Sequence, residues 1–372
     1  MPASLVERIV VPPLSRDAVR SLADGSSLDA AVLFDATAGN PFFVTEVVAA
    51  PADDVPATVR DAVIARLGRL SLEARLMVRA AAALGDRCET ALLLAVHGRD
   101  EAPLVECLGS GVLVADAGAI RFRHELARRA VLASIDIGAR RDLHRRALAA
   151  LREGDIAAGP DLLATHAVGA GGHDSLLELA PLAGHRAASL GAHREAVAYF
   201  AAASALRHEL DPRARAFLLE AHARECALID DAASALELQQ EALACWQVLG
   251  DRLGEGACLR ALSAMWYQAG QGERAQEVAR AAVSILETVV PVGHELALAL
   301  ATLGQRVMVA GHDDAEALDR ATRARDVAEG LGDEPVVAHA LTTIGVARIY
   351  MSDEAGWAIL EEGIHRAQAG GL

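Results

Sequence analysis

The densest chemical signal in the sequence is cationic. Nine arginines, at 121, 123, 128, 129, 140, 141, 145, 146 and 152, stand against only Glu125, Asp136 and Asp142 over the same stretch. Guanidinium forks in that density suit DNA, a nucleotide phosphate or the carboxylates of another domain. A solvated face whose arginines pair with acids elsewhere in the fold accounts for them equally well. Arg123-His124 is the sharpest point, because it falls where a strand ends and a helix begins, so that both side chains and the amides that follow could meet an anion. A second point is Gly39-Asn40-Pro41, where glycine permits close backbone approach and Asn-Pro caps and starts a helix. A plain N-cap is an equally good account of Asn40.

Other chemistries lack their residues. The chain has 35 basic residues and no lysine, so every one is arginine. That removes a Gly-x-x-x-x-Gly-Lys-Ser/Thr phosphate loop, a Schiff-base enzyme and a Ser-x-x-Lys acylase. The 13 histidines are scattered, with no His-Glu-x-x-His, and His144, His185 and His193 read as core or surface groups rather than metal ligands. Ser110 lies between two glycines at a helix end before a strand, the reverse order from a nucleophile elbow. Asp53-Asp54, Asp230-Asp231 and Asp313-Asp314 fall in turns, where aspartate caps the next helix. No catalytic constellation and no metal site is expected, and the chain reads as no enzyme.

Composition narrows the class further. In 372 residues the net charge is −16, apolar residues make up 53% and aromatics 3%. Long helices packed through small side chains fit this mixture better than a β-sandwich. An acidic, aromatic-poor chain is a poor general nucleic-acid binder. The five cysteines include no Cys-x-x-Cys and read as buried thiols in a reducing cytosol. No signal peptide and no apolar run of about 18 residues is seen, so no membrane contact and a cytoplasmic location are expected.

The elements that must position these residues begin with a short strand, Leu5 to Val11, stopped by Pro12-Pro13. A lone strand leaves its ladder groups unpaired, so either the chain begins late in a domain whose earlier sheet it lacks, or this is a frayed tail. Helices are predicted from Ser15 to about Ala23, from Leu28 to Ala38, from Pro41, and from Pro56 with Val59, Val63, Ile64 and Leu67 on one face. Three more follow from Leu72 to Gly109, then a hairpin with strands Val112–Val114 and Ile120–Phe122, which is the order of a winged helix. A basic helix from Ala139 to Arg152 follows. Beyond about residue 160 small residues recur as Ala196/Phe200/Ala203, Ala235/Gln239/Ala242, Ala275/Ala279/Ala282, Ala317/Ala321/Ala324 and Gly356/Leu360/Gly363. Their spacings of 39, 40, 42 and 39 residues predict about five tetratricopeptide-like helix hairpins from near residue 175. The fold class expected is therefore mainly all-α, a helical lid and winged-helix subdomain followed by a helical-repeat solenoid.

At GNPFFVTEV (39–47), VPATVRDAVIARLGRLS (55–71) and IRFRHELARRAV (120–131) the sequence resembles the large LuxR-type transcriptional regulators, the MalT-like branch of the STAND signal-transduction ATPases. LGDEPVVAHALTTIGVARIY and the GWAILEEGIHRA helix resemble the same family's repeats. The resemblance implies the end of an ATPase module and a helical lid over 1–55, a winged helix over 56–155 and repeats over 156–372. It also implies that Gly39, Asn40 and Pro41 match the lid motif that packs on adenine, and that His124 matches the histidine that senses a nucleotide phosphate. The family's phosphate loop and C-terminal helix-turn-helix are absent from this sequence. The expectation is thus a fragment or degenerate member of such a regulator, with ATP or ADP as cofactor only if an ATPase core is supplied. A protein or small-molecule effector is expected on the repeat arm, and no direct sequence-specific DNA binding by this chain. The alternative is a free-standing helical-repeat adaptor for protein–protein interaction.

Overall fold

The structure, a computed structural model, describes residues 12–371 except 25, 27, 50–62, 66, 154–155 and 312. The strand expected at Leu5–Val11, the Asp53-Asp54 pair and the start of the helix expected at Pro56 lie outside these residues. The chain divides into two compact units, 1–176 and 177–372.

In the first unit, Ser15, Asp29 and Asn40 each accept backbone N–H bonds at a helix start. These caps set off α1 (Arg16–Ala23), α2 (Ala30–Thr37) and α3 (Pro41–Ala49), which share a core of Val19, Ala23, Leu33 and Val44. Between α2 and α3 the backbone turns through Ala38 and Gly39, both at positive φ. The Leu14 amide donates to the Gly39 carbonyl at 2.8 Å, and a Cβ on Gly39 would stand 2.3 Å from the Leu14 oxygen. Only glycine fits there.

Next come α4 (Leu72–Leu84), β1 (Arg87–Glu89), α5 (Thr90–His97), α6 (Ala102–Gly109), β2 (Leu113–Asp116) and β3 (Ala119–Phe122). Ala117 and Gly118, both at positive φ, form the two-residue turn whose twist suits the strands it joins. The sheet has the order β1-β3-β2 with both pairings antiparallel, Cys88 opposite Ile120 and Leu113 opposite Phe122. This is the helix and hairpin order read from the sequence, with β1 added. Arg87-Cys88-Glu89 holds no β-branched residue, so only its pairing with β3 makes it a strand. The unit closes with α7 (Glu125–Ala133), α8 (Ile137–Arg152) and α9 (Pro160–Ala170) around a core that seals Met77, Leu93, Cys107, Ile120 and Val131.

From residue 173 onward, the described residues form five helix pairs. They are α10 (His173–Ser189) with α11 (His193–Ser204), α12 (Pro212–Leu228) with α13 (Ala232–Leu249), α14 (Arg252–Gln268) with α15 (Gly272–Leu286), α16 (His294–Ala310) with α17 (Asp314–Leu331), and α18 (Glu334–Tyr350) with α19 (Ala355–Ala369). Each repeated triplet lies on the second helix of its pair, and its outer alanines, such as Ala196, Ala235, Ala275 and Ala317, have no exposed surface. Small side chains there let the helices of a pair close on each other. In the last pair a Cβ on Gly356 would stand 2.6 Å from the Gly345 oxygen, and one on Gly363 would stand 3.1 Å from the Leu341 Cβ. The first helices α14, α16 and α18 also touch in sequence and make one layer. The second unit is a tetratricopeptide-like helical-repeat solenoid.

All five cysteines are buried and unpaired. Burial pushes the Cys88 and Cys226 thiols up to about 11 and that of Cys107 to about 12. No helix among the described residues is long and apolar enough to cross a membrane.

Candidate functional site

The two points singled out in the first unit meet. Asn40, Phe43 and His124 line one cavity of about 190 Å³, whose other walls are apolar, with Val63, Leu67, Val112 and Ala127. The Phe43 ring stands edge-on to the His124 imidazole, with centroids 5.1 Å apart and planes at 83°. Asn40 is the N-cap of α3, its Oδ1 accepting from the amides of Phe42 at 3.1 Å and Phe43 at 3.4 Å. Pro41 occupies the first turn on the exposed side. The freedom of Gly39 is used by the chain itself, for the approach of Leu14. His124 is the residue before α7, and its carbonyl opens that helix by accepting from Ala127 at 3.0 Å.

The arginine-rich stretch is largely engaged within its own unit. Arg128 holds Glu125 at 2.6 Å and donates to the Ala82 carbonyl at 3.2 Å. Arg123, Arg140 and Arg146 donate to the carbonyls of Gly111, Leu132 and Val96 at 3.0, 2.7 and 2.8 Å. Arg145 pairs with Asp142 at 3.0 Å and Arg121 with Asp116 at 3.9 Å. Carbonyls near helix ends lack partners within the helix, and a long guanidinium supplies several donors from outside it.

Two histidines from different helices, scattered in sequence, form a buried pair. His144 on α8 and His166 on α9 face each other with their Nδ1 atoms 2.9 Å apart, and His166 is fully buried. A Cβ on Gly169 would stand 2.4 Å from the His144 ring, so the glycine lets α9 approach. Burial, with the neighbouring His144, pushes His166 down to about 4. His144 is lowered too, by burial and then by the charge of Arg140.

Sequence reasoning put an effector on the repeats without locating its site. A trough of about 600 Å³ runs between α12 and α14. Its floor is one face of α14, formed by Gly254, Ala257, Ala261 and Ala264, whose small side chains leave the space open. One end is aromatic, where Phe217, 57% exposed, stands edge-on to the buried Trp246 ring at 5.0 Å. The indole N–H donates to Glu220 Oε1 at 3.1 Å, and a Cβ on Gly254 would stand 2.6 Å from the ring. Ion pairs brace the walls, Arg213 to Asp251 at 2.8 Å and Arg260 to Glu295 at 3.3 Å. Burial raises the Glu220 carboxyl above its ordinary value. Arg224, one turn further along α12, is exposed and in no close ion pair among the described residues, and its charge opposes the upward shift of Glu220. The available signal was Phe217, Glu220 and Arg224 on one helix face, a mixture unsuited to a core.

No family model and no curated protein matches the chain. Among solved structures, it is similar to a STAND protein with a tetratricopeptide repeat sensor from Pyrococcus horikoshii, at 16% identity and a TM-score of 0.40, covering 97% of this chain and 54% of that one. It is also similar to BtubC from P. vanneervenii, at 16% identity and a TM-score of 0.47, covering 64% and 93% of the two chains. The tetratricopeptide-like repeats of a Podosopora anserina kinesin light chain align at 17% identity with a TM-score of 0.43, covering 57% and 99%. The chain thus spans about half the length of the STAND protein.

Proposed function

We propose that this chain supplies the switch and sensor-arm portion of a LuxR-type, STAND-class transcriptional regulator working in the cytoplasm. In this reading the lid and winged helix of the first unit report the state of a nucleotide, and the repeats receive an effector. The observation that carries it is the shared cavity, since Asn40 and Phe43 from one stretch and His124 from another, the stretches that resemble the family's nucleotide-reading elements, line the same space. Its volume of about 190 Å³ is below the ~300–1,000 Å³ usual for a whole small ligand. Apolar walls with an imidazole and an amide suit a planar base. A triphosphate would need further donors, and without lysine the chain lacks the usual ammonium contact to the transferred phosphate. We therefore assign no hydrolysis to it.

The test is a titration of the full chain with adenosine and with ADP, following the His124 imidazole by NMR, beside an assay of phosphate release from ATP. Both ligands should perturb His124 weakly, ADP more than adenosine because an imidazole can donate to a phosphate oxygen, and no phosphate should be released. Silence of His124 toward both ligands would remove the switch reading. Turnover abolished by His124→Ala would make the chain an enzyme. A second reading, a free-standing helical-repeat adaptor, is favoured by the trough between α12 and α14, which is formed wholly within the second unit.

A further inference from the structure

We propose that the trough between α12 and α14 binds a small amphipathic carboxylate, its aryl or alkyl body lying on Phe217 and the alanine floor of α14 and its carboxylate on Arg224. The assignment deepens the reading of the repeats as an effector arm and rests on it. The size fits, because about 600 Å³ lies within the ~300–1,000 Å³ of small-molecule sites, which are mostly apolar with a few polar groups.

Charge selects the ligand. Of the three guanidinium groups lining the trough, Arg213 is held by Asp251 and Arg260 by Glu295. Arg224 remains, exposed on the same wall and in no close ion pair among the described residues, its charge reaching only Glu220 one turn away. A cationic ligand would find two of the three acids already paired with arginine. The third, Glu220, accepts from the Trp246 indole and already feels the charge of Arg224 one turn away. A neutral ligand would leave the one available cation unmatched in a chain of net charge −16. A carboxylate meets a guanidinium through two parallel N–H···O bonds, which adds orientation to attraction. The aromatic end gives the body its place, since the exposed Phe217 ring is set by Trp246, itself fixed by Glu220 and by the close approach of Gly254.

The experiment titrates the full chain by calorimetry with 4-phenylbutanoate, 4-phenylbutanamide and 4-phenylbutylamine. The carboxylate should bind at least tenfold more tightly than the amide or the amine. Arg224→Gln, an exposed change that leaves the packing intact, should reduce this preference below threefold, whereas Arg325→Gln on α17 should leave it unchanged. Ala261→Phe, which fills the floor, should abolish binding. Equal binding of the three probes, binding by none of them, or a preference that survives Arg224→Gln would overturn the proposal. Failure of the probes leaves the His124 response to adenosine unaffected, and failure of that response leaves the trough measurement standing, so the two readings fall separately.

Discussion

One proton must lie between the Nδ1 atoms of His144 and His166, because at 2.9 Å one ring has to donate and the other accept. Protonating His166 would place an imidazolium in a buried space beside His144, which already feels the charge of Arg140. Its folded pKa of about 4 lies below its ordinary 6.5, so its contribution to stability is complete above about pH 6.5 and is lost as pH falls toward 4. The unfolding free energy of the first unit should therefore drop by an amount on the order of 3 kcal/mol across that window. Circular dichroism with denaturant at several pH values measures it, and the slope should be much reduced in His166→Gln. Gly39 gives a second residue-scale test. Gly39→Ala places a Cβ against the Leu14 carbonyl at positive φ, and should destabilise the packing of α1 to α3 by about 1–3 kcal/mol. An undiminished midpoint of unfolding would mean that Leu14 does not impose the glycine.

The helix pair is the element on which the repeats are built, and its register is testable on α15. Ala275 and Ala282 are fully buried against the neighbouring helices while Glu277 on the same helix is exposed. Ala275→Leu or Ala282→Leu should cost about 1–3 kcal/mol by overpacking, and Glu277→Leu less than about 0.5 kcal/mol, as measured by urea unfolding. This register was legible because small residues recur at a fixed spacing, and caps such as Ser15, Asp29 and Asn40 carry their own local signal. Strand β1 was not legible, since Arg87-Cys88-Glu89 becomes a strand only through β3. The roles of Arg140 and Arg146 were equally hidden, because their partners Leu132 and Val96 are carbonyls brought near by the fold. At the candidate site the sequence singled out Asn40 and His124 but held no sign that Phe43 would join them. The trough on α12 and α14 depends on two helices from different repeats, so the mixed face of Phe217, Glu220 and Arg224 marked one wall of it but not the space itself.

Across the whole molecule, an acidic chain whose arginines cap its own carbonyls is poorly equipped to hold a duplex. Mixed-sequence DNA near 150 mM salt should bind more weakly than about 1 μM. Arg146→Ala should cost about 1–2 kcal/mol of stability, because the Val96 carbonyl loses its guanidinium donor, and Arg140→Ala less, because the Leu132 carbonyl keeps the Ile135 amide. Arg141→Ala should be close to neutral. Sub-micromolar DNA binding, lost on changing Arg141 and Arg145, would move DNA reading into this chain. The sealed cysteines bear on the same scale. Cys88 and Cys107 belong to the first unit, and Cys226, Cys245 and Cys258 to the second. A thiol that is both covered and hard to ionise ignores alkylating reagents until its surroundings open. Pulsed alkylation read by mass spectrometry would therefore time the opening of each unit from its own set of sulfurs, and a carboxylate held in the trough should slow modification of the second set alone.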